Sequence, residues 1–391
     1  MLTDPPMSAH PTIRLKPKEG RRLRAGGPWA FSNELEMSAA AKALAPGSVV
    51  NVAGDDGRPF GTGYFNANSL IAVRLMDPRP DIVLGRDFFA KRLARARALR
   101  DAVYDEPYYR IVHAEGDFLP GLTIDRFAET YVVQISTAGM EALREPLLKA
   151  LGGAEVILRA DTPSRALEGL SSYVEGEASR VAVQENGIRY FADLAGGQKT
   201  GWYYDQRDNR AFIAGLARGK TVLDAYCYTG GFALAAAKGG AKEVIGVDSS
   251  APALALAEES AAANGLSAKF VKADVFEELE RLSAAKETFD IVIADPPPFV
   301  KSRKDLEPGA KAYRKLARLA AKLVAPDGLL LLASCSHNIP PDRFAAECAH
   351  GIARAERRAR LIRQSGAGPD HPVHPMLPES AYLKTLVYAL D

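Results

Sequence analysis

Cysteine is scarce in this chain. Only Cys227, Cys335 and Cys348 occur in 391 residues, too few and too scattered for a disulfide framework or a cysteine-based zinc cluster. A reducing, cytoplasmic setting is therefore the default expectation, with no metal. Long hydrophobic runs are also missing. None approaches the ~18 to 20 residues that a membrane span needs. The opening MLTDPPMSAHPTIRLKPKEG has no apolar stretch behind its first basic residues, so no secretory signal is expected. Charge of one sign is lacking too. The 50 Lys and Arg face 48 Asp and Glu for a net charge of +2. A global polycation is excluded, and any nucleic-acid surface must come from local clustering. What is present is an ordinary globular mix, 47% hydrophobic and 25% charged. That mix argues against wholesale disorder, and the length suggests two or three domains.

Residues 1–11 are polar, contain three prolines and show no period, which predicts a mobile leader. Residues 12–82 form a β-rich module. VVNVAG (49–54) and LIAVRLM (70–76) are strand-like and are punctuated by the turns Gly54-Asp55-Asp56-Gly57 and Asn66-Ala67-Asn68. Between Arg14 and Arg24 stand six basic residues and one acid, Glu19, followed by Gly26-Gly27-Pro28-Trp29-Ala30-Phe31. Arg22 and Trp29 in that setting suit contact with an RNA backbone and stacking on its bases. A solvated charged strand with Trp29 in a small core is the competing interpretation. Residues 86–190 look like a second, α+β piece. RDFFAKRLARARALRD (86–101) is a basic amphipathic helix with Phe89, Leu93 and Ala96 on one face. YVVQIS (131–136) and EVILRA (155–160) are strands, and VAVQ-ENG-IRYFAD closes the piece with a hairpin around Asn186-Gly187.

From about residue 203 onward strands and helices alternate. TVLDAY (221–226), EVIGVD (243–248), KFVKAD (269–274), FDIVIAD (289–295) and GLLLLAS (328–334) are the strands, with Ala- and Leu-rich helices between them. This is an α/β pattern, a mostly parallel sheet with helices on both faces. The loop 295–309 and the tail 364–378 are rich in Pro, Gly and charge, and both are candidate flexible segments at a site.

Ligands of such sheets gather beyond the carboxyl ends of the strands, and those ends carry Asp224, Asp248, Asp274, Asp295 and Ser334-Cys335. Asp224 leads into Ala-Tyr-Cys-Tyr-Thr-Gly-Gly-Phe, where glycine lets the backbone approach a ligand. Asp248 at the end of the second strand can accept both hydroxyls of a ribose, which fits an adenosine cofactor. Asp274 can meet an adenine amino group, although a helix N-cap is the alternative for any one of these acids. The turn lacks the three-glycine dinucleotide fingerprint, which counts against a nicotinamide dehydrogenase. Asp295-Pro296-Pro297-Pro298-Phe299 leaves carbonyls and a carboxylate facing a substrate, with Phe299 available for base stacking. If the fourth and fifth strands are neighbours, Asp295 and Cys335 share one rim. There a thiolate is a strong nucleophile. Lys301, Arg303 and Lys304 follow as a basic loop, read either as a grip on backbone or as a solvated surface.

LDAYCYTGGF, VIGVDSS, KADVF and IVIADPPPF resemble the motifs of class I S-adenosylmethionine-dependent methyltransferases. The segment 26–32 is similar to the start of a PUA RNA-binding domain. The segments 109–117 and 120–126, Gly197-Gln198-Lys199-Thr200-Gly201 with Asp205-Gln206-Arg207-Asp208-Asn209-Arg210, Asp370-His371-Pro372-Val373 and Tyr382-Leu383-Lys384 resemble one subfamily, the PUA-containing cytosine-C5 methyltransferases of bacterial large-subunit ribosomal RNA. The likeness spans residues 12–391. It implies a PUA-like domain (12–82), a central α+β domain (86–190) and a Rossmann-like methyltransferase domain (191–391). It further implies S-adenosylmethionine as cofactor, ribosomal RNA as partner and Cys335 as a covalent nucleophile assisted by Asp295. Cofactor contacts are implied for Asp224, Tyr226, Gly230, Asp248, Ser249, Asp274, Val275, Lys199, Tyr203 and Arg207. Substrate contacts are implied for Pro296, Pro297, Phe299, Lys301, Arg22 and Trp29. Pairing with Asp205 or Asp208 is the alternative for Lys199 and Arg207. A homodimer is compatible with the likeness but demanded by no motif. Two departures stand out. Gly27 replaces a histidine found in many members, and Pro298 separates Phe299 from Asp-Pro-Pro. The second departs from the spacing of enzymes that methylate exocyclic amines. Methylation of a base nitrogen or of another RNA, and a non-catalytic ribosome-assembly role, are the alternatives.

Overall fold

The computed structural model describes residues 10–177, 180–194 and 200–391. Most of the expected leader and Lys199 lie outside the described residues. The chain divides into two compact units, Met1–Ala178 with Pro369–Ser380, and Ser179–Gly368 with Ala381–Asp391. No described helix is long and apolar enough to cross a membrane.

The first unit contains two five-stranded sheets. One orders its strands Thr12–Arg14, Ser48–Ala53, Pro59–Phe65, Val73–Asp77 and Trp29–Ala30. It closes on Ile13, Leu15, Val50, Val52, Phe65 and Val73. The other runs Tyr173–Glu175, Glu155–Ala160, Thr130–Ile135, Leu122–Phe127 and Tyr108–His113. The helix Arg86–Asp101 buries Phe89, Leu93 and Ala96, as its spacing predicts, and also Arg100. The Arg100 guanidinium forks onto Asp117 at 2.6 and 2.7 Å and donates to the Asp370 carbonyl at 2.9 Å. Asp370 in turn accepts from the Arg110 amide at 3.1 Å and pairs with His371 at 2.8 Å. The tail read from sequence as a flexible segment is thus partly buried structure. Its polar groups at Asp370 and His371 are buried and hydrogen-bonded.

In the second unit the hairpin Arg180–Glu185 and Ile188–Asp193 forms as expected, with positive φ at Asn186 and Gly187. It lies in this unit, not with the preceding α+β piece. Seven further strands build one sheet: β1 Thr221–Ala225, β2 Glu243–Asp248, β3 Lys269–Lys272, β4 Phe289–Ala294, β5 Val324–Ser334, β6 Ala359–Ser365 and β7 Lys384–Leu390. Six helices accompany it: α1 Arg207–Leu216, α2 Gly231–Lys238, α3 Ala251–Asn264, α4 Val275–Ala284, α5 Leu306–Lys322 and α6 Pro341–Arg354. Hairpin and α3 are laced together by Phe191 N to Ser260 Oγ at 3.0 Å and Arg189 N to Asn264 Oδ1 at 2.9 Å.

The spatial order is β3-β2-β1-β4-β5-β7-β6, parallel except for β7, which runs antiparallel to both its neighbours. The inner strands are covered on both faces, which is why they read as continuous apolar runs. Leu223, Ala225, Val292, Ala294, Leu330 and Leu332 pack against Tyr313 and Leu316 of α5. Val222, Ile291, Ile293, Leu331 and Ala333 pack with Ile213 of α1 and Phe232 of α2. The order of strands reverses between β1 and β4, so the crevice at their carboxyl ends is where this architecture collects ligands.

Candidate active site

The β1–α2 turn is held in an unusual backbone. Tyr226 and Tyr228 both take left-handed φ, 67° and 50°, at a cost of roughly 1–2 kcal/mol each. Non-glycine strain of this kind clusters at ligand sites. The turn is pinned where the amides of Tyr226 and Cys227 both donate to the Val247 carbonyl, at 2.9 and 3.0 Å. Gly230 caps α2 with φ 80°, and a Cβ there would sit 3.0 Å from the Ala257 methyl. Glycine is therefore required twice over, for the φ and for the close approach of α2 to α3. Asp224 is buried. Its Oδ2 accepts from Ala233 N at 2.8 Å, while Oδ1 meets no donor among the described residues. Burial pushes this carboxyl well above the usual carboxylate range, against the pull of the Ala233 amide. The Thr229 hydroxyl is likewise buried, with no partner among the described residues. Asp248 is half-buried, with Oδ2 taking Tyr228 N at 2.9 Å and Oδ1 taking Ser250 N at 2.8 Å.

The rim of β4 and β5 carries the second half of the site. The two strands pair in parallel, with Ala294 opposite Leu332. Asp295 and Cys335 therefore leave neighbouring strand ends, as expected if the strands are adjacent. Asp295 Oδ2 accepts from Gln206 Nε2 at 2.9 Å. Cys335 is half-buried, whereas Cys227 and Cys348 are buried, and burial pushes both of those thiols up out of reach of ionisation. Tyr203 packs edge-on against Tyr228, with centroids 5.4 Å apart. Its phenol is raised by burial and then by the charges of Tyr228, Asp205, Cys335 and Asp295, so these groups converge on one crevice. The Tyr382 hydroxyl donates to Asp205.

Two residues that sequence reasoning missed shape this rim. Tyr313 on α5 accepts from Ser334 Oγ at 2.8 Å and from Phe299 N at 3.4 Å, and bonds Ser336 Oγ at 2.8 Å. It thereby fastens the proline loop after β4 to the turn that bears Cys335. Lys384, opposite Ser334 in the register, is buried and donates to the carbonyls of Ser336 at 2.7 Å and Ile339 at 3.1 Å. Burial lowers its ammonium to about 8, and the Cys335 charge opposes that shift. The segment Tyr382-Leu383-Lys384 carries a family resemblance, but nothing in it announces a buried lysine held by carbonyls across a turn.

The remaining candidates are spread more widely. Asp274 is exposed and caps α4, accepting from Glu277 N at 3.1 Å. Val275 starts that helix and is buried, and Ser249 is exposed. Pro296 is buried while Pro297 is exposed. Phe299 lies 4.8 Å from the Tyr313 ring and 6.0 Å from Phe276, so much of its surface is already engaged. Lys301, Arg303 and Lys304 are exposed. Arg207 is buried, and its Nε donates to Glu185 at 3.4 Å. In the first unit, Arg22 is exposed and pairs with Glu379 at 2.9 Å. Trp29 is half-buried there and donates to Glu115 at 2.9 Å, with Arg74 over its ring.

The family of S-adenosylmethionine-dependent methyltransferases matches residues 134–388, and a PUA-like domain matches residues 13–78. A Shewanella denitrificans protein named Ribosomal RNA large subunit methyltransferase I is 38% identical over 390 residues, covering 96% of this chain and 98% of that protein. A Photobacterium profundum protein of the same name is 38% identical over 379 residues, covering 93% and 95%. A Streptococcus mutans structure described as a SAM-dependent methyltransferase has the same fold, with a TM-score of 0.81 at 24% identity, covering 97% of this chain and 100% of that one. A methyltransferase structure complexed with SAH aligns at 0.82 with 23% identity over the same shares. The crevice fits such a cofactor. The buried, unmatched acceptors of Asp224 and Thr229 suit an ammonium donor. Each Asp248 oxygen, with one lone pair used, can still accept a ribose hydroxyl. This chain belongs to the S-adenosylmethionine-dependent methyltransferase family and carries a PUA-like domain ahead of the cofactor-binding fold.

Proposed function

We propose that the protein methylates carbon 5 of a cytosine in large-subunit ribosomal RNA, with Cys335 as covalent nucleophile and Asp295 as its acid–base partner. The observation that carries this is the placement of a half-buried thiol and a carboxylate at the ends of adjacent parallel strands, both bearing on Tyr203. The shared name of relatives aligned over nearly the whole chain supports ribosomal RNA as the substrate.

Carbon 5 of cytosine is a poor nucleophile until something adds to carbon 6. The Cys335 thiolate forms a bond to carbon 6 while a proton moves from the Asp295 carboxyl to N3, so the adduct is neutral and carbon 5 is electron-rich. S-adenosylmethionine, when bound, supplies an electrophilic methyl group on a sulfonium. Loss of the carbon 5 proton to a base, breakage of the carbon 6–sulfur bond and return of the N3 proton to Asp295 restore the aromatic ring and the free thiolate. The target base leaves its stack to reach the crevice. Residues 12–82 and the exposed cations Lys301, Arg303 and Lys304 supply contacts to the RNA backbone.

The test is Cys335→Ala. Modified ribosomal RNA is mapped by mass spectrometry from cells carrying either form, and S-adenosylmethionine binding is measured by calorimetry. The expected outcome is loss of one 5-methylcytosine, by at least ~10³-fold in rate, with cofactor binding retained. Undiminished methylation, or a product methylated on nitrogen, overturns the proposal.

A further inference from the structure

Gln206 sits between the catalytic rim and a chain of polar groups that leads away from it. Its Nε2 donates to Asp295 Oδ2 at 2.9 Å, and its Oε1 accepts from Asn209 Nδ2 at 2.7 Å. The same Asn209 nitrogen faces Thr385 Oγ1 at 3.2 Å and the Gly366 carbonyl at 3.5 Å, while Asn209 Oδ1 accepts from Ser365 Oγ at 2.7 Å. A backbone carbonyl accepts only, so it fixes which end of the Asn209 amide is the NH₂. That choice fixes the Gln206 amide in turn. Both residues are buried, at 2% and 1% exposure, so bulk water does not substitute for a lost partner and the chain has one self-consistent direction.

We propose that Gln206, locked in one amide orientation by Asn209, is a positioning residue that holds the Asp295 carboxyl in place. This deepens the proposed function and rests on Asp295 exchanging a proton with the base. The carboxyl held by this amide N–H is thereby aimed by a residue that Asn209 in turn holds. Asp295 faces other charges as well. Asp224 on β1 and Tyr203 both feel it, and Asp205 and Cys335 bear on the same Tyr203. Among these neighbours Gln206 supplies a neutral donor.

Two near-isosteric changes test this. Gln206→Glu puts an anion where the donor stood. Asn209→Asp removes the NH₂ that holds Gln206 and favours the opposite amide orientation, which presents an oxygen to Asp295. Each is followed by methylation rate against pH on full-length protein, with calorimetric S-adenosylmethionine affinity and circular dichroism as controls for folding. Because Asp295 gives its proton to N3, its titration sets the basic limb of the kcat profile. The expected result for both is a displacement of that limb upward by about one pH unit, with the plateau kcat down about tenfold because the carboxyl is no longer held in place, and KM for RNA within threefold. If Q206E does not fold, Q206M removes the donor without adding charge and is expected to lower kcat in the same way. Folded variants with the parental pH profile and kcat overturn the proposal. So does a loss that appears only in stability, because a merely structural amide would leave the profile in place. Product analysis separates this from the identity of the methylated atom. A nitrogen-methylated product would refute the proposed function, yet the shifted limb would still report Gln206 acting on Asp295.

Discussion

Asp224 offers a measurement in which pH, stability and cofactor binding are tied to one carboxyl. It is 1% exposed, with a single backbone donor on Oδ2 and none among the described residues on Oδ1. Burial raises its folded pKa above the ordinary 3.8. The folded protein therefore keeps this proton after the unfolded chain has released it. Stability falls as pH rises above the unfolded value, until the folded pKa is reached, at up to about 1.4 kcal/mol per pH unit. Asp224→Asn keeps the acceptor for Ala233 N and removes the titration. The stability difference between wild type and variant is thus expected to move steadily in the variant's favour from pH 4.5 upward. Denaturant titrations of the cofactor-free proteins at several pH values read it.

The same substitution has the opposite sign on ligand binding. A cationic part of S-adenosylmethionine beside Asp224 favours the ionised carboxyl, so binding releases a proton. Calorimetry in buffers of different ionisation heat is expected to show that release in wild type and not in D224N. Loss of a hydrogen bond to a charged group weakens affinity by about 1.5–3 kcal/mol, or roughly 10- to 150-fold. A stability difference that is flat in pH, together with binding that releases no proton and is unchanged in the variant, would refute the assignment of Asp224 to the cofactor.

Lys384→Met gives a second pH signature. The ammonium is lowered from 10.5 to about 8, so the folded state holds fewer protons than the unfolded one between those values. Wild type is expected to gain stability over K384M as pH rises from 8 to 10, by at most about 1.4 kcal/mol per unit. A difference that shrinks over that range contradicts it. Tyr313→Phe leaves the buried Ser334 and Ser336 hydroxyls short of a partner, at an expected cost of about 1–3 kcal/mol in urea titrations. Replacing Lys301, Arg303 and Lys304 together by Ala is expected to weaken RNA binding across sequences and to lower the salt slope by up to ~2 to 3 charges. An unchanged slope would place the RNA elsewhere.

How much of this was legible in the sequence follows burial. Strands β1, β2, β4 and β5 are inner strands, and their apolar runs announce them, while β3 at one edge shows only the short KFVK. β6 is an edge strand whose residues Ala359–Leu361 and Ile362 are exposed, so it has neither an apolar run nor clean alternation. Its polar end merged with the following loop, and the strand went unread. The acids at the strand ends were visible as a set, but their individual roles were not. Asp274 spends one oxygen on a helix cap and Asp224 is sealed in the core. Both are simply Asp after an apolar run. Trp29 looked exposed beside six cations, yet its partner Glu115 lies 86 positions away. No local pattern encodes that distance.

The hydrogen-bonded chain at the rim is the strongest case of the same limit. Gln206, Asn209, Asp295, Ser365 and Thr385 are scattered over some 180 positions and become one pathway only because the sheet order sets β4, β5 and β7 side by side. A side chain's identity tells which bonds it can make, and the topology decides which it does make. The proposed nucleophile and acid could be picked out as candidates because each follows a buried strand. The groups that orient them depend on β7, whose first two residues, Lys384 and Thr385, come from the far end of the chain. Antiparallel insertion of β7 between β5 and β6 therefore does more than close the sheet. It is the step that supplies the active rim with its supporting amides, hydroxyls and ammonium. A change that displaced β7 by one residue would turn Lys384 and Thr385 to the opposite faces and leave Cys335 and Asp295 in place without the partners that tune them.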